Sequence, residues 1–162
     1  MVVPTKGVEM KKFATVVLAV FAVGFLVGGA YAVSQGREAT NDVRERIVAQ
    51  NIITSEDAAI PGVLVDSADT AVAQGDVIGV HADEAVTEML GEPLTYAEIP
   101  YQDATDAEVA ARALLEQAAG LRSALYGTAA AFKLAELVTW LGAAFAALGL
   151  LFGFGAVYVH KS

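Results

Sequence analysis

Two long uncharged and mostly apolar runs, residues 13–36 and 137–159, constrain this chain more than any other feature. Each run exceeds the ~20 apolar residues that carry a helix across a ~30 Å hydrocarbon core. A single segment in lipid must satisfy its own backbone polar groups, and only a helix achieves this outside a closed barrel. The sequence therefore predicts an all-α membrane protein whose two transmembrane helices form a hairpin.

The basic residues predict the orientation of that hairpin. Lysines flank the outer ends of the two runs: Lys6, Lys11, Lys12 and Lys161. Because Lys and Arg accumulate on the cytoplasmic side of spans, we expect cytoplasmic ends at residues 1–12 and 160–162. Residues 37–136 would then form a helical extracytoplasmic region of the cell envelope. The arginines that follow the first run argue the other way, but acidic residues are interleaved with them.

The first run has a rival interpretation as a cleaved signal peptide. Ala30-Tyr31-Ala32 matches the small-x-small pattern of a cleavage site and follows a basic start. The apolar run is, however, longer than the ~7–15 residues of an ordinary signal-peptide core. We therefore expect a retained membrane anchor.

Charge and composition narrow the possible partners. The net charge is −9, and all acidic residues except Glu9 and Glu136 lie between Glu38 and Glu116. Such a segment repels nucleic acid and anionic lipid headgroups, so the expected partners are the lipid bilayer and either another membrane protein or a second copy of this chain. The chain has no Cys, which excludes disulfides and thiolate chemistry.

Capping patterns predict mostly helical structure between the spans. Thr54 followed by Asp57 is typical of a helix start, and Asp66 or Ser67 is expected to cap a helix that ends near Leu90. The turn at Pro61-Gly62 lies between these starts, followed by an apolar run, residues 63–65, that is too short to distinguish strand from coil. Thr105 with Glu108 forms a capping box. From about residue 106 a long helix, continuous or kinked near Gly120 or Gly127, would enter the second span.

Apolar residues at helical spacing mark the expected buried faces of these helices. In the helix after Ser67 the stripe contains Ala71, Gly75, Ile78, Ala82, Val86 and Met89. In the last helix it contains Leu114, Ala118, Leu121, Leu125 and Phe132.

Each span carries a GxxxG motif, Gly24 with Gly28 and Gly149 with Gly153. Such motifs let helix backbones approach closely in lipid. We expect the two spans of one chain to pack through these four glycines. The alternative is that the motifs form a docking face for another protein.

Polar residues outside the spans give a weak candidate for a ligand site, formed by Asp76, His81, Tyr96 and Glu98. His81 also shares a helical face with Glu84 and Glu88, but one imidazole and two carboxylates are a poor Zn or Fe site. No nucleophile motif, paired catalytic carboxylates or phosphate-binding loop occurs. We therefore expect no catalytic residues, no metal and no cofactor.

Three short segments resemble recurring segments of a family of small two-span actinobacterial membrane proteins. They are Ser55-Glu56-Asp57-Ala58, Gln74-Gly75-Asp76-Val77-Ile78 with His81, and Leu94-Thr95-Tyr96-Ala97-Glu98-Ile99. The resemblance covers roughly residues 43–155. Gly75 replaces a common Ala, and Glu92-Pro93 replaces a usual Gly-Gly turn. The resemblance implies localisation and architecture but no activity. Some members carry an automatic label of aromatic ring-opening dioxygenase, which would need an iron site that these residues do not supply.

Two functions are compatible with the sequence. The first is a non-enzymatic accessory or scaffold subunit of the envelope that binds other membrane proteins. The second is a module that binds or senses a small ligand or cation through Asp76, His81, Tyr96 and Glu98. A scaffold should leave an apolar stripe uncovered, whereas a sensor should bring those four groups together in one polar cavity.

Overall fold

The structure is a computed structural model that describes residues 6–161. Within that range it has three helices, α1 Lys6–Val48, α2 Ala68–Leu90 and α3 Asp106–Lys161. It has no strand there, only an isolated antiparallel bridge between Ile53 and Leu64. The expectation of an all-helical chain is confirmed. The predicted cytoplasmic ends are described only in part, because residues 1–5 and 162 lie outside the described range.

The ends of α2 and α3 are set by the residues that the sequence indicated. Ser67 caps α2 and forms a capping box with Thr70, and Gly91 ends the helix in the left-handed region at φ 80°. At the start of α3, the Glu108 carboxylate accepts hydrogen bonds from the backbone N–H and the hydroxyl of Thr105, at 2.6 and 2.8 Å. The α3 helix then continues without a break for 56 residues.

The predicted helix start at Thr54 is wrong. Thr54 is 2 % exposed and lies in a loop, where its backbone N–H donates to the Val63 carbonyl at 2.8 Å. Its hydroxyl oxygen accepts a hydrogen bond from the Val63 N–H at 3.0 Å. The side chain therefore joins two loop segments instead of capping a helix, and Gly62 turns the chain between them at φ 65°.

The chain divides into two compact units. Unit 1 contains Met1–Thr40 and Leu134–Ser162, and unit 2 contains Asn41–Lys133. The α1 and α3 helices each contribute to both units. In unit 1 these two helices contact one another in antiparallel order, from Gly36 beside Thr139 to Gly149 beside Ala22.

Contact between α1 and α3 in unit 1 follows a repeat of small residues at seven-residue spacing. A Cβ added at Gly29 would lie 2.6 Å from both the Ala146 nitrogen and the Gly142 oxygen. A Cβ at Gly142 would lie 2.6 Å from the Val33 nitrogen. The buried residues of the repeat are Ala22, Gly29 and Gly36 on α1 and Ala135, Gly142, Gly149 and Ala156 on α3. Backbone therefore packs directly on backbone along this seam.

This seam corrects the predicted packing through the GxxxG motifs. Gly149 lies in the seam, and a Cβ at Gly153 would meet the Ala22 Cβ at an ordinary 3.8 Å. No atom lies within 4 Å of the Cβ positions of Gly24 and Gly28, so neither glycine is at the contact. Gly28 precedes Gly29 by one residue and is rotated ~100° from it around the helix. Replacing Gly24 by a larger residue such as Leu should therefore not separate the two helices.

Unit 2 has a core in separate clusters, and most of its buried apolar side chains are Ala or Val. One cluster contains Ile47, Val65, Ala71, Leu125, Ala129 and Phe132. Another contains Val86, Ile99 and Ala111, with Leu90 packed against it. The predicted α2 stripe is largely buried, but Met89 is exposed. These clusters hold the loops against α2 and α3.

Adding a methyl group at Gly29 should destabilise unit 1, whereas the same change at Gly28 should not. The Gly29→Ala Cβ would collide with backbone atoms that have no side-chain freedom to move away, and overpacking of this kind costs about 1–3 kcal/mol. Titration with sodium dodecyl sulfate, followed by the fluorescence of Trp140, measures the effect. Equal midpoints for Gly29→Ala and the control Gly28→Ala would contradict the backbone contact.

Candidate functional site

The residues of the predicted ligand site are each engaged by a different partner. Asp76 Oδ1 accepts a hydrogen bond from the Tyr126 hydroxyl at 2.6 Å. His81 Nε2 lies 2.6 Å from Asp57 Oδ2. Both contacts join α2 to another part of unit 2. They use the polar atoms that a ligand would need.

The other two predicted residues, Tyr96 and Glu98, lie in the connector between α2 and α3, residues 91–105. The Tyr96 hydroxyl donates to Glu116, and the Glu98 carboxylate accepts from the Thr95 hydroxyl at 2.6 Å. These hydrogen bonds from Thr95 lower the pKa of Glu98. In the part of the chain that the structure describes, no hydrogen bond or ion pair joins any two of the four predicted residues. The contacts therefore do not unite them in one site.

Arg112 on α3 binds the connector, a role that no pattern in the sequence indicated. Its guanidinium donates to the backbone carbonyls of Tyr96 and Ile99, at 3.1 and 2.8 Å. It also lies over the Tyr96 ring, 4.1 Å from the ring centre. Arg112 thus donates hydrogen bonds to loop carbonyls and stacks on an aromatic ring. Both contacts stabilise the connector.

His81 and Asp57 form a partly exposed pair, with side chains 49 % and 58 % exposed. The hydrogen bond from His81 lowers the pKa of Asp57, and the imidazole charge acts in the same direction. His81 also borders a shallow cavity of about 250 Å³ with Ala82 and Leu114. Among residues 6–161, no three His, Asp or Glu side chains lie close enough to hold a metal ion.

Two glycines on α2 accommodate a polar pair from α3. A Cβ at Gly75 would lie 2.8 Å from Tyr126 Cε1, and a Cβ at Gly79 would lie 2.8 Å from Arg122 Cζ. The hydrogen bond with Tyr126 raises the pKa of Arg122, and the charges of Asp83 and Asp76 act in the same direction. In the sequence, Gly75 and Gly79 are four residues apart, and so are Arg122 and Tyr126. This shared spacing is the signal that could have predicted the contact.

Unit 2 contains an apolar groove of about 770 Å³ that the sequence did not predict. The largest apolar residues of its lining are Val43, Ile47, Ile52, Ile78, Leu121 and Leu125. Arg46 is the one charged residue of the lining, beside the polar Gln50 and Thr128. Ile78, Leu121 and Leu125 belong to the apolar stripes predicted from the sequence, but the sequence could not show the space between the helices.

Unit 1 contains a second, open groove of about 410 Å³. Gly24 and Gly28 form its floor, and its walls are Val20, Phe21, Phe25 and Phe145. The Phe25 and Phe145 rings lie 5.7 Å apart and close one side. The two glycines that do not take part in the α1–α3 seam therefore lie in a groove without a polar side chain.

Removing the His81 side chain should raise the pKa of Asp57. Because the pairing lowers the pKa of Asp57 in the folded protein, it stabilises the fold at pH values above the ordinary pKa of Asp. That stabilisation is lost as the pH falls through the lowered value. Carboxyl NMR titration of His81→Ala measures the change, with Glu84→Ala as the control on the same helix. An Asp57 pKa that is the same in wild type and His81→Ala would show that the pair does not form.

Comparisons with known proteins assign no relative to this chain. No protein-family model, curated protein or solved structure matches it. The resemblance to two-span actinobacterial proteins therefore stays a prediction, and a function must be argued from the geometry of the chain itself.

Proposed function

We propose that the chain is a non-enzymatic integral membrane protein of the cell envelope that acts as an accessory or scaffold subunit for another membrane protein. Residues 13–36 and 137–159 form a transmembrane hairpin, both termini are cytoplasmic, and residues 37–136 are extracytoplasmic. The glycine-floored groove of unit 1 receives a transmembrane helix of the partner. The alternative, ligand binding through Asp76, His81, Tyr96 and Glu98, loses support because each of these residues has its own partner.

The exposure of the long helices supports a membrane location. Two helices are long and apolar enough to cross a membrane, and only 11 % of the most apolar stretch of each is buried. A core helix of a soluble protein would bury most of that stretch. Large side chains such as Phe13, Leu151 and Phe154 point outward, each more than half exposed. Such a surface is stable when hydrocarbon covers it.

The open groove at Gly24 and Gly28 is the observation that carries the scaffold function. Helices in lipid gain no hydrophobic driving force from meeting each other, so they associate where small residues allow close backbone contact. A lipid chain can cover the groove, but it cannot supply a rigid backbone at the two glycines. The apolar lining and the open Cβ positions of the two glycines suit a helix that lays small residues against Gly24 and Gly28.

The orientation is tested with single cysteines, because the chain has no native Cys. Cysteine at Asp69 should react with an impermeant thiol reagent on intact cells. Cysteine at Val2 or Ser162, positions outside the described residues, should react only after the membrane is opened. Labelling of the two terminal positions with Asp69 silent would contradict the orientation.

The partner helix is tested by photocrosslinking in native membranes. A benzophenone amino acid in place of Phe21, in the groove wall, should yield an adduct with another protein, and Gly28→Leu should abolish it. The same amino acid in place of Val23, on another face of α1, serves as the control. Equal adducts at both positions would contradict the groove, and an adduct of twice the chain mass would replace the foreign partner with a second copy.

A further inference from the structure

We propose that the apolar groove of unit 2 is a binding site for a long-chain carboxylate, with the alkyl chain along the groove and the carboxylate at Arg46. This inference goes beyond the scaffold function and does not depend on it. The volume of about 770 Å³ lies within the range of ~300–1,000 Å³ that is usual for small-molecule sites.

The shape and lining of the groove suit an alkyl chain. Its α3 wall runs from Leu121 to Ala131, about 15 Å at 1.5 Å per residue, which is a length suited to an extended alkyl chain. The opposite walls come from Val43 and Ile47 on α1 and from Ile78 on α2. Burying a flexible apolar chain against these residues removes apolar surface from water on both sides.

The segment between Glu38 and Glu116 repels anions as a whole, but Arg46 is a local cation at the groove and determines the charge of the ligand. Its side chain is exposed, and it makes no hydrogen bond or ion pair within residues 6–161, whereas the neighbouring Arg44 donates to the Asp66 carbonyl at 3.1 Å. The lining contains no acidic residue. A free guanidinium beside an apolar groove favours an anionic head group, and its planar fork matches a carboxylate.

The end of α1 near Arg46 does not oppose an anion strongly. The last carbonyls of the helix already accept hydrogen bonds, from Ala49 to Glu45 at 3.1 Å and from Gln50 to Ile47 at 3.0 Å. These bonds partly satisfy the negative end of the helix dipole.

Glycines on α3 offer a matched pair of variants. Gly127 lines the groove, and nothing lies within 4 Å of its Cβ position, so Gly127→Phe places a ring in the groove without a backbone clash. Gly120 is equally open but does not line the groove, so Gly120→Phe is the control. For the charge, Arg46→Gln is compared with Arg37→Gln, which lies nine residues earlier and on the opposite face of α1.

The experiment uses the full chain in phosphatidylcholine nanodiscs, each variant first checked for wild-type helix content by circular dichroism. A diazirine derivative of hexadecanoic acid is photolysed, and the labelled peptides are identified by mass. We expect labelling of the groove segments around residues 43–52 and 121–131. Gly127→Phe should abolish it and Gly120→Phe should not. Arg46→Gln should weaken binding roughly two- to fivefold, as expected for a partly exposed ion pair, and Arg37→Gln should leave it unchanged.

Competition in the wild-type protein keeps the proposal falsifiable if a variant fails to fold. Hexadecanoate should displace the probe more effectively than hexadecyltrimethylammonium at equal concentration. Equal displacement by the two would overturn the assignment of an anionic ligand. Labelling confined to the membrane-spanning peptides, or groove labelling that persists in folded Gly127→Phe, would overturn the site itself and show partition into lipid only.

Discussion

Direct backbone contact between α1 and α3, along a seven-residue repeat of Ala and Gly, is the constraint on which unit 1 depends. Ordinary helix pairs keep their axes 8–10 Å apart because side chains fill the space between them. Here Gly29 and Gly142 leave no room for even a methyl group. In lipid this close approach replaces the hydrophobic effect as the source of attraction, through dispersion forces between well-fitted surfaces. The large apolar side chains are then free to face outward.

Unit 2 is stabilised by a small apolar core together with side-chain hydrogen bonds to its loops. Most of its buried apolar side chains are Ala or Val, so its core is thin for a segment of this size. Polar side chains also hold the loops in place by forming hydrogen bonds with loop backbone N–H and C=O groups. Gln74 accepts a hydrogen bond from the Ser55 N–H at 2.8 Å, and Arg112 donates to two connector carbonyls. Three residues of the predicted ligand site bind other side chains instead: Asp76 pairs with Tyr126, His81 with Asp57 and Tyr96 with Glu116.

Features with a purely local cause were predictable from the sequence. The caps at Ser67 and at Thr105 with Glu108, and the turn at Gly62, follow from contacts within a few residues. Features that depend on distant residues were not predictable. Thr54 has the local pattern of a cap, but the distant Val63 provides its hydrogen bonds. The α1–α3 seam uses a seven-residue glycine spacing rather than the four-residue motif, and only the facing helix reveals which spacing is used. The groove of unit 2 is a space between elements, so no residue pattern encodes it.

Residues that the monomer does not use indicate where it can bind something else. An open glycine alone does not mark a site, since Gly120 is as open as Gly24. Gly24 and Gly28 differ because they line an open groove together with aromatic rings, and a groove without polar side chains suits a helix in lipid. Arg46 differs from Arg44 because it has no partner in the described chain and borders an apolar groove. A cation beside apolar walls suits an amphiphile rather than a helix, so the two grooves select occupants of different chemistry.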